Sequence, residues 1–253
     1  MRYSLRVILI VVVLAALVSL AAAKILKVRQ AAIRNSRAYA YRQIALSLWN
    51  YESAFGHIPV PTRFDPGDPE SALFSWRLRI LPFYASYKMD IDQNLSWDAP
   101  ANLKWRGISQ PFAEGGWGDG AWDKRNPGDI PTETAIYGIT GPGTVFGDGK
   151  THRSMSMELA PNDTIILAEI ANAGHHWMAP GDFDILTMSR IINSRNGDSI
   201  SGNYDGGFFI AFADTQVWFM SNSTPFSSLS KFFTVEGATQ FDRDIELGAH
   251  RIE

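Results

Sequence analysis

The sequence predicts an α+β fold: one long N-terminal helix, membrane anchor in its first half and amphipathic in its second, packed on an antiparallel β-sheet with long irregular loops. Three observations predict it. An apolar run from Val7 to Ala23, interrupted only by Ser19, stands near the start of the chain, and no Pro or Gly interrupts Lys24 to Phe55. Beyond that point short apolar segments alternate with Gly, Pro, Asn and Asp, the pattern of strands joined by turns.

The apolar run is flanked by Arg2 and Arg6 before it and by Lys24 and Lys27 after it. Its 17 residues span about 26 Å as a helix, and Leu5, Ile25 and Leu26 extend this to about 30 Å, one hydrocarbon thickness. Backbone in lipid must satisfy its own hydrogen bonds, so the run has to be helical. Residues 1–26 are therefore read as a transmembrane anchor and 27–253 as the body. A cleaved signal peptide is the competing reading, with Ala21-Ala22-Ala23 as a small-residue cleavage site. The length of the run, and a helix that continues past it without a turn residue, favour the retained anchor.

Charge is divided unevenly along the 253 residues. Residues 1–37 hold seven Lys/Arg and no acid, leaving sixteen basic against 26 acidic residues in the remainder. Nucleic acid would repel a body this acidic, so it is not expected as a partner. The absence of cysteine removes disulfides, thiolate metal sites and cysteine nucleophiles. Lys24, Lys27, Arg29, Arg34 and Arg37 suit lipid headgroups at the membrane exit, or form a solvated helical face. Counted against Arg2 and Arg6, they would place the body on the cytoplasmic side.

Within Lys24–Phe55, Ile44, Leu48, Tyr51 and Phe55 recur at spacings of four, three and four, the apolar stripe of an amphipathic helix. Gly56 ends it, and Pro59 and Pro61 prevent its resumption. Residues 62–72 are a turn-rich loop, and Ser75–Tyr84 is a short helix or an extended segment broken at Pro82. Residues 96–131, with GGWGDGAWD at 115–123, read as irregular. Ala135–Thr140 reads as a strand closed by Gly141-Pro142-Gly143, and Thr164–Ile170 as a buried strand after an Asn162-Asp163 turn. Phe208–Ala213 and Gln216–Met220 form a hairpin turning at Asp214-Thr215, with large apolar residues on both faces.

The candidate chemistry is sparse. His175 and His176 with Asp182 and Asp184 form the best metal set, but adjacent histidines on a strand point to opposite sides. Asp119, Asp123 and Asp129 could offer oxygens to Ca²⁺ but lack EF-hand spacing and read as polar turns. Glu158 and Glu169 have no evident companion for paired-carboxylate chemistry. Ser154 and Ser156 near His152 lack a nucleophile elbow. Gly141-Pro142-Gly143 and Gly147-Asp148-Gly149 read as turns, since no strand–loop–helix unit follows to hold phosphate. Trp105, Trp117 and Trp122 could form a platform for sugar rings, against the commoner role of such aromatics in core or interface. No cofactor is expected, and no enzyme reading rises above these.

Several motifs in a fixed order resemble a known family. The anchor helix runs into Leu46-Ser47-Leu48-Trp49-Asn50-Tyr51-Glu52-Ser53-Ala54-Phe55-Gly56-His57-Ile58-Pro59, followed by Ser75-Trp76-Arg77 with Ile80-Leu81-Pro82-Phe83-Tyr84 and by Ser96-Trp97-Asp98-Ala99-Pro100. Then come Gly141-Pro142-Gly143-Thr144, Asn162-Asp163-Thr164-Ile165 ending at Glu169, Trp177 with Pro180 and Asp182, and finally Gly206 to Asp214. This order, from Ala45 to Met220, resembles the prepilin-like domain of unknown function 1559, a family expanded in planctomycetes. The resemblance implies a pilin-like fold with its body outside the cytoplasmic membrane, opposite to the side the charge count favours.

The departures from the family pattern are specific. Leu5-Arg6-Val7-Ile8-Leu9-Ile10 lacks the glycine and the acidic residue of a prepilin processing site, so no such processing is expected. The missing intramembrane carboxylate also removes the contact by which pilin subunits pair with a neighbouring N-terminus. Tyr204 stands where the family has a His, Thr215 replaces the Gly of an Asp-Gly turn, and the family's mid-chain Cys is absent. Thr dislikes a positive φ, so the hairpin turn must differ or be strained. The expected function is a non-enzymatic, single-pass structural or interaction protein of the cell envelope. Its partners would be the bilayer through Val7–Ala23 and other pilin-like subunits or envelope proteins. The alternative is a secreted or tethered glycan-binding module using the Trp-rich loop.

Overall fold

The computed structural model of the protein describes residues 5–59, 74–85, 90–92, 95–105, 112, 132–147, 156–194, 196–204 and 206–252. The 62–72 loop, the 115–123 segment and residues 148–155 lie outside them.

Helix α1 (Leu5–Phe55) is continuous over 51 residues, about 77 Å at the usual rise. Gly56 closes it: at φ +76° its N–H donates to the Glu52 carbonyl at 2.6 Å, a left-handed cap that a side chain would strain. The buried stripe is Tyr41, Ile44, Ala45, Leu48 and Tyr51. Phe55 does not belong to it. At 58% exposure its ring lies against Tyr51 and the edge of Phe83.

Segment 75–84 is helical rather than extended. Helix α2 (Trp76–Ala85) continues through Pro82, which removes one hydrogen bond without ending the helix. The sheet holds β1 (Ile136–Thr140), β2 (Ile165–Glu169), β3 (Phe183–Asp184), β4 (Gly207–Phe212) and β5 (Val217–Ser221) in the order β3-β1-β2-β4-β5. Four strands are antiparallel neighbours, as expected. Strand β3 is parallel to β1, so the sheet is mixed rather than wholly antiparallel. The chain turns back after β2 and returns along the outer edge of β1, which gives β3 the direction of β1.

Large apolar residues on both faces of the hairpin mean that both faces are covered. One face packs Ile136, Ile166, Phe209, Ala211 and Phe219 against α1 and α2. The other packs Tyr137, Ile139, Phe208, Ile210, Phe212 and Trp218 against short helices α3 (Phe226–Leu229), α4 (Val235–Gln240) and α5 (Arg243–Leu247). Their caps are local signals: the Thr234 side chain accepts from Gly237 N–H, and Asp242 accepts from Asp244 and Ile245 N–H. These helices, formed by the chain past Met220, complete the third layer.

Candidate functional site

The long helix has two environments. Leu9, Ile10, Val11, Val12, Leu14, Leu17, Val18 and Leu20 are all exposed, and the most apolar 18-residue window of the helix is 0% buried. By length and composition this segment can cross a membrane. From Arg37 onward the same helix is packed. Arg34 and Arg37 are therefore not part of a simple solvated basic face. The Arg34 guanidinium lies over the Phe219 ring at 5.3 Å, and Arg37 is fully buried with its guanidinium 5.4 Å from the Tyr41 ring. Burial pushes the Tyr41 phenol well above its ordinary value, and the charge of Glu169 adds to the shift against the opposing influence of Arg37.

Glu169 is the carboxylate at the end of β2. It is fully buried and accepts from the N–H groups of Phe209 (3.0 Å) and Asn203 (3.4 Å), which ties β2 to the loop entering β4. Glu158 is exposed, and its own N–H bonds the Ser156 hydroxyl. Glu169 is thus a structural acceptor between strands. On α1, Glu52 has a similar task, both oxygens receiving Met157 N–H at 3.1 Å.

A second buried centre forms where Ser75-Trp76-Arg77 meets Asp182. Arg77 Nη2 donates to Asp182 Oδ1 at 2.9 Å, Nε and Nη2 donate to the Ile136 carbonyl at 3.0 and 2.7 Å, and Nη1 donates to the Ser75 hydroxyl. Asp182 also accepts from the Trp76 indole (2.8 Å) and from Gly138 N–H (2.6 Å). Burial pushes the Asp182 carboxyl up, while Arg77 and these donors pull it down.

The two aspartates of the candidate metal set have different surroundings. Asp182 is held in that centre, and Asp184 Oδ1 accepts from Leu186 N–H. His176 stacks on Trp97 at 4.7 Å and receives Met178 N–H at Nδ1, whereas His175 stands edge-on to Tyr137. Among the described residues no group of three His, Asp or Glu could hold a metal ion. Of the three tryptophans in the proposed platform, Trp105 is half-buried, its indole N–H bonded to the Asp90 carbonyl and its ring covered by Lys104. Trp117 and Trp122 lie outside the described residues, as do Asp119, Asp123, Asp129, Asp148, Gly149, His152 and Ser154.

The hairpin tip is gripped from both sides. Trp49 on α1 donates to the Ala213 carbonyl at 2.7 Å, and Arg243 on α5 pairs with Asp214 (2.6 Å) and Asp163 (3.3 Å). Thr215 N–H closes a turn on Phe212, and Thr215 itself has φ +68°, the left-handed position that a three-residue hairpin loop reserves for glycine. The turn keeps its shape, and the threonine is strained.

Motif residues read far apart in the chain thus converge: Trp76 and Arg77 on Asp182, Glu169 on the segment beginning at Gly206, Trp49 on the hairpin tip. Residues 27–132 match the family described as protein of unknown function (DUF1559). That is the family the order of motifs resembles. The match begins at Lys27, just past the apolar run, and covers less than half of the chain. It includes Trp49 and Arg77 but stops before β1, so their partners Ala213 and Asp182 lie outside it. No curated protein and no solved structure matches the chain.

Proposed function

We propose that the protein is a single-pass, membrane-anchored, pilin-like structural or interaction protein of the cell envelope, without catalytic activity. The observation that carries this reading is the division of α1: a bare apolar half of membrane-spanning length, continuous with a half packed on the sheet. A rigid helix shared by membrane and body holds the acidic domain at a fixed height and orientation above the bilayer. The order of motifs that resembles a prepilin-like family supports the pilin-like character and a body on the extracytoplasmic face, and the match of residues 27–132 to DUF1559 is compatible with both. Neighbouring pilin-like subunits or envelope proteins would meet the body there, and the chain does so without a processing-site glutamate in its anchor.

The test is a charge inside the run. Val12→Asp or Leu14→Asp should release the body from membranes, because an isolated carboxylate at mid-bilayer costs about 2.5–3.5 kcal/mol on insertion scales. Retention of either variant in the carbonate-resistant fraction would show that this run is not the anchor. N-terminal mass spectrometry of the native chain supplies the second arm. A start at Lys24 in the soluble fraction would mean that the run is a signal peptide.

A further inference from the structure

Where α1 leaves the body there is a concave site. Gln30, Ile33 and Arg34 of the helix face Asn203 and Tyr204 of the loop before β4, around a cavity of about 260 Å3. This is just below the usual range for complete small-molecule sites, and suits a polar fragment. The lining brings together a guanidinium, two carboxamides and a phenol, all able to donate hydrogen bonds, with Ile33 as an apolar side.

The loop wall is held in place. Asn203 N–H bonds Glu169, Gly202 N–H bonds the Asn193 side chain at 3.1 Å, and the Tyr204 ring stands edge-on to Phe209. Glu169, the acid behind the wall, is fully buried and already receives two backbone N–H groups. Arg34 differs from Arg77 and Arg243, which are in ion pairs: among the described residues it rests on the Phe219 ring and has no acidic partner. A cation kept beside a row of donors, in a segment where residues 1–37 contain no acid, calls for an anion.

Height along the helix selects which anion. If the hydrocarbon ends at Leu26, Gln30 lies about 6 Å and Arg34 about 12 Å beyond it. The headgroup layer on each side is about 5–7 Å thick. Side chains on a helix lean toward its N-terminus, here toward the membrane, which brings Gln30 to the level of that layer and leaves Arg34 just beyond it, within reach of a headgroup that rises into the cavity. Lys24 and Lys27 lie below the site and attract anionic lipid to it without lining it.

We infer that this cavity holds the phosphate headgroup of an anionic phospholipid from the leaflet that the body faces, fixing the height and rotation of the domain. The inference rests on the anchored reading of α1. Full-length protein in mild detergent, stripped of lipid, is titrated with phosphatidylglycerol or phosphatidylcholine, and bound lipid is counted by native mass spectrometry. The expected result is one phosphatidylglycerol held about tenfold more tightly than phosphatidylcholine. Arg34→Gln should abolish the preference. So should Gln30→Trp, which fills the cavity and leaves the charge unchanged, whereas Lys24→Gln should keep it.

Equal binding of the two lipids overturns the inference. So does a preference lost with Lys24→Gln and untouched by Gln30→Trp, which would be diffuse attraction to the basic helix. Displacement by inorganic phosphate at equal concentration would make this a free-anion site and also overturn it. A native N-terminus at Lys24 in the soluble fraction would sink the anchor instead, and the two failures are read from different spectra.

Discussion

Arg77 and Asp182, 2.9 Å apart and both buried, act as a substitute strand along the outer edge of β1. On that edge the Thr140 carbonyl accepts from Ile185 of the β3 turn, and Thr134 and Thr132 pair with the backbone of His175 and Trp177. Between them side chains meet the Ile136 carbonyl and the Gly138 N–H. The guanidinium donates to the Ile136 carbonyl where a strand would present N–H, and the carboxylate accepts from Gly138 where it would present C=O. The Ile136 carbonyl and the Gly138 N–H on the outer edge are thereby satisfied, and groups that would otherwise recruit another strand are closed.

Asp182→Ala should therefore be severe. It leaves a buried guanidinium without its counter-charge, a loss of about 3–5 kcal/mol. At about 2–4 °C per kcal/mol for a chain of this size, the thermal midpoint should fall by roughly 10 °C. Circular dichroism melts of the full chain in detergent measure it, and a fall within about 2 °C of wild type would mean the edge is held by other contacts.

Thr215→Gly should stabilise the protein. A β-branched residue in the left-handed region costs on the order of 1–3 kcal/mol, and glycine returns part of the gain as unfolded-chain entropy, about 0.5–1 kcal/mol. The net expectation is a gain of about 1 kcal/mol in denaturant unfolding. A loss would show that the Thr215 side chain makes contacts that outweigh its backbone strain.

Tyr41 makes the folded chain sensitive to alkali. Its phenol titrates well above the usual value of 10.0 because it is buried, and then because Glu169 is near. The folded state keeps a proton that the unfolded state releases, so the contribution to stability is full below about pH 10 and falls as pH rises toward the folded value. Tyr41→Phe has no such proton. Its unfolding midpoint should decline less steeply than that of wild type above about pH 10. Parallel decline of the two proteins would remove Tyr41 as the source.

Much of the scaffold is local information. An apolar run, the absence of helix breakers to Phe55, Gly56 at the end, and β-rich segments between Gly, Asn and Asp turns each act within a few residues. They were enough to place α1, β1, β2 and the β4–β5 hairpin. The strain at Thr215 was legible in part, since a β-branched residue stands where the resembled family has the glycine of an Asp-Gly turn, but the three-residue length of the loop came from the structure. The lining of the membrane-proximal cavity was not, because Arg34 and Asn203 are brought together only when β4 packs beside α1.

The sequence by itself determined the long helix, its division into apolar and amphipathic halves, and the α+β class, because helical and strand periods are written in adjacent residues. Tertiary structure alone decided that Arg37 is buried, that Phe55 is not, that β3 runs parallel to β1, and that Asp182 pairs with Arg77. Each of these depends on which surface lies opposite a side chain. Residues more than a hundred positions apart carry no local pattern announcing that they will meet, and the meeting is decided by how the layers close around one core.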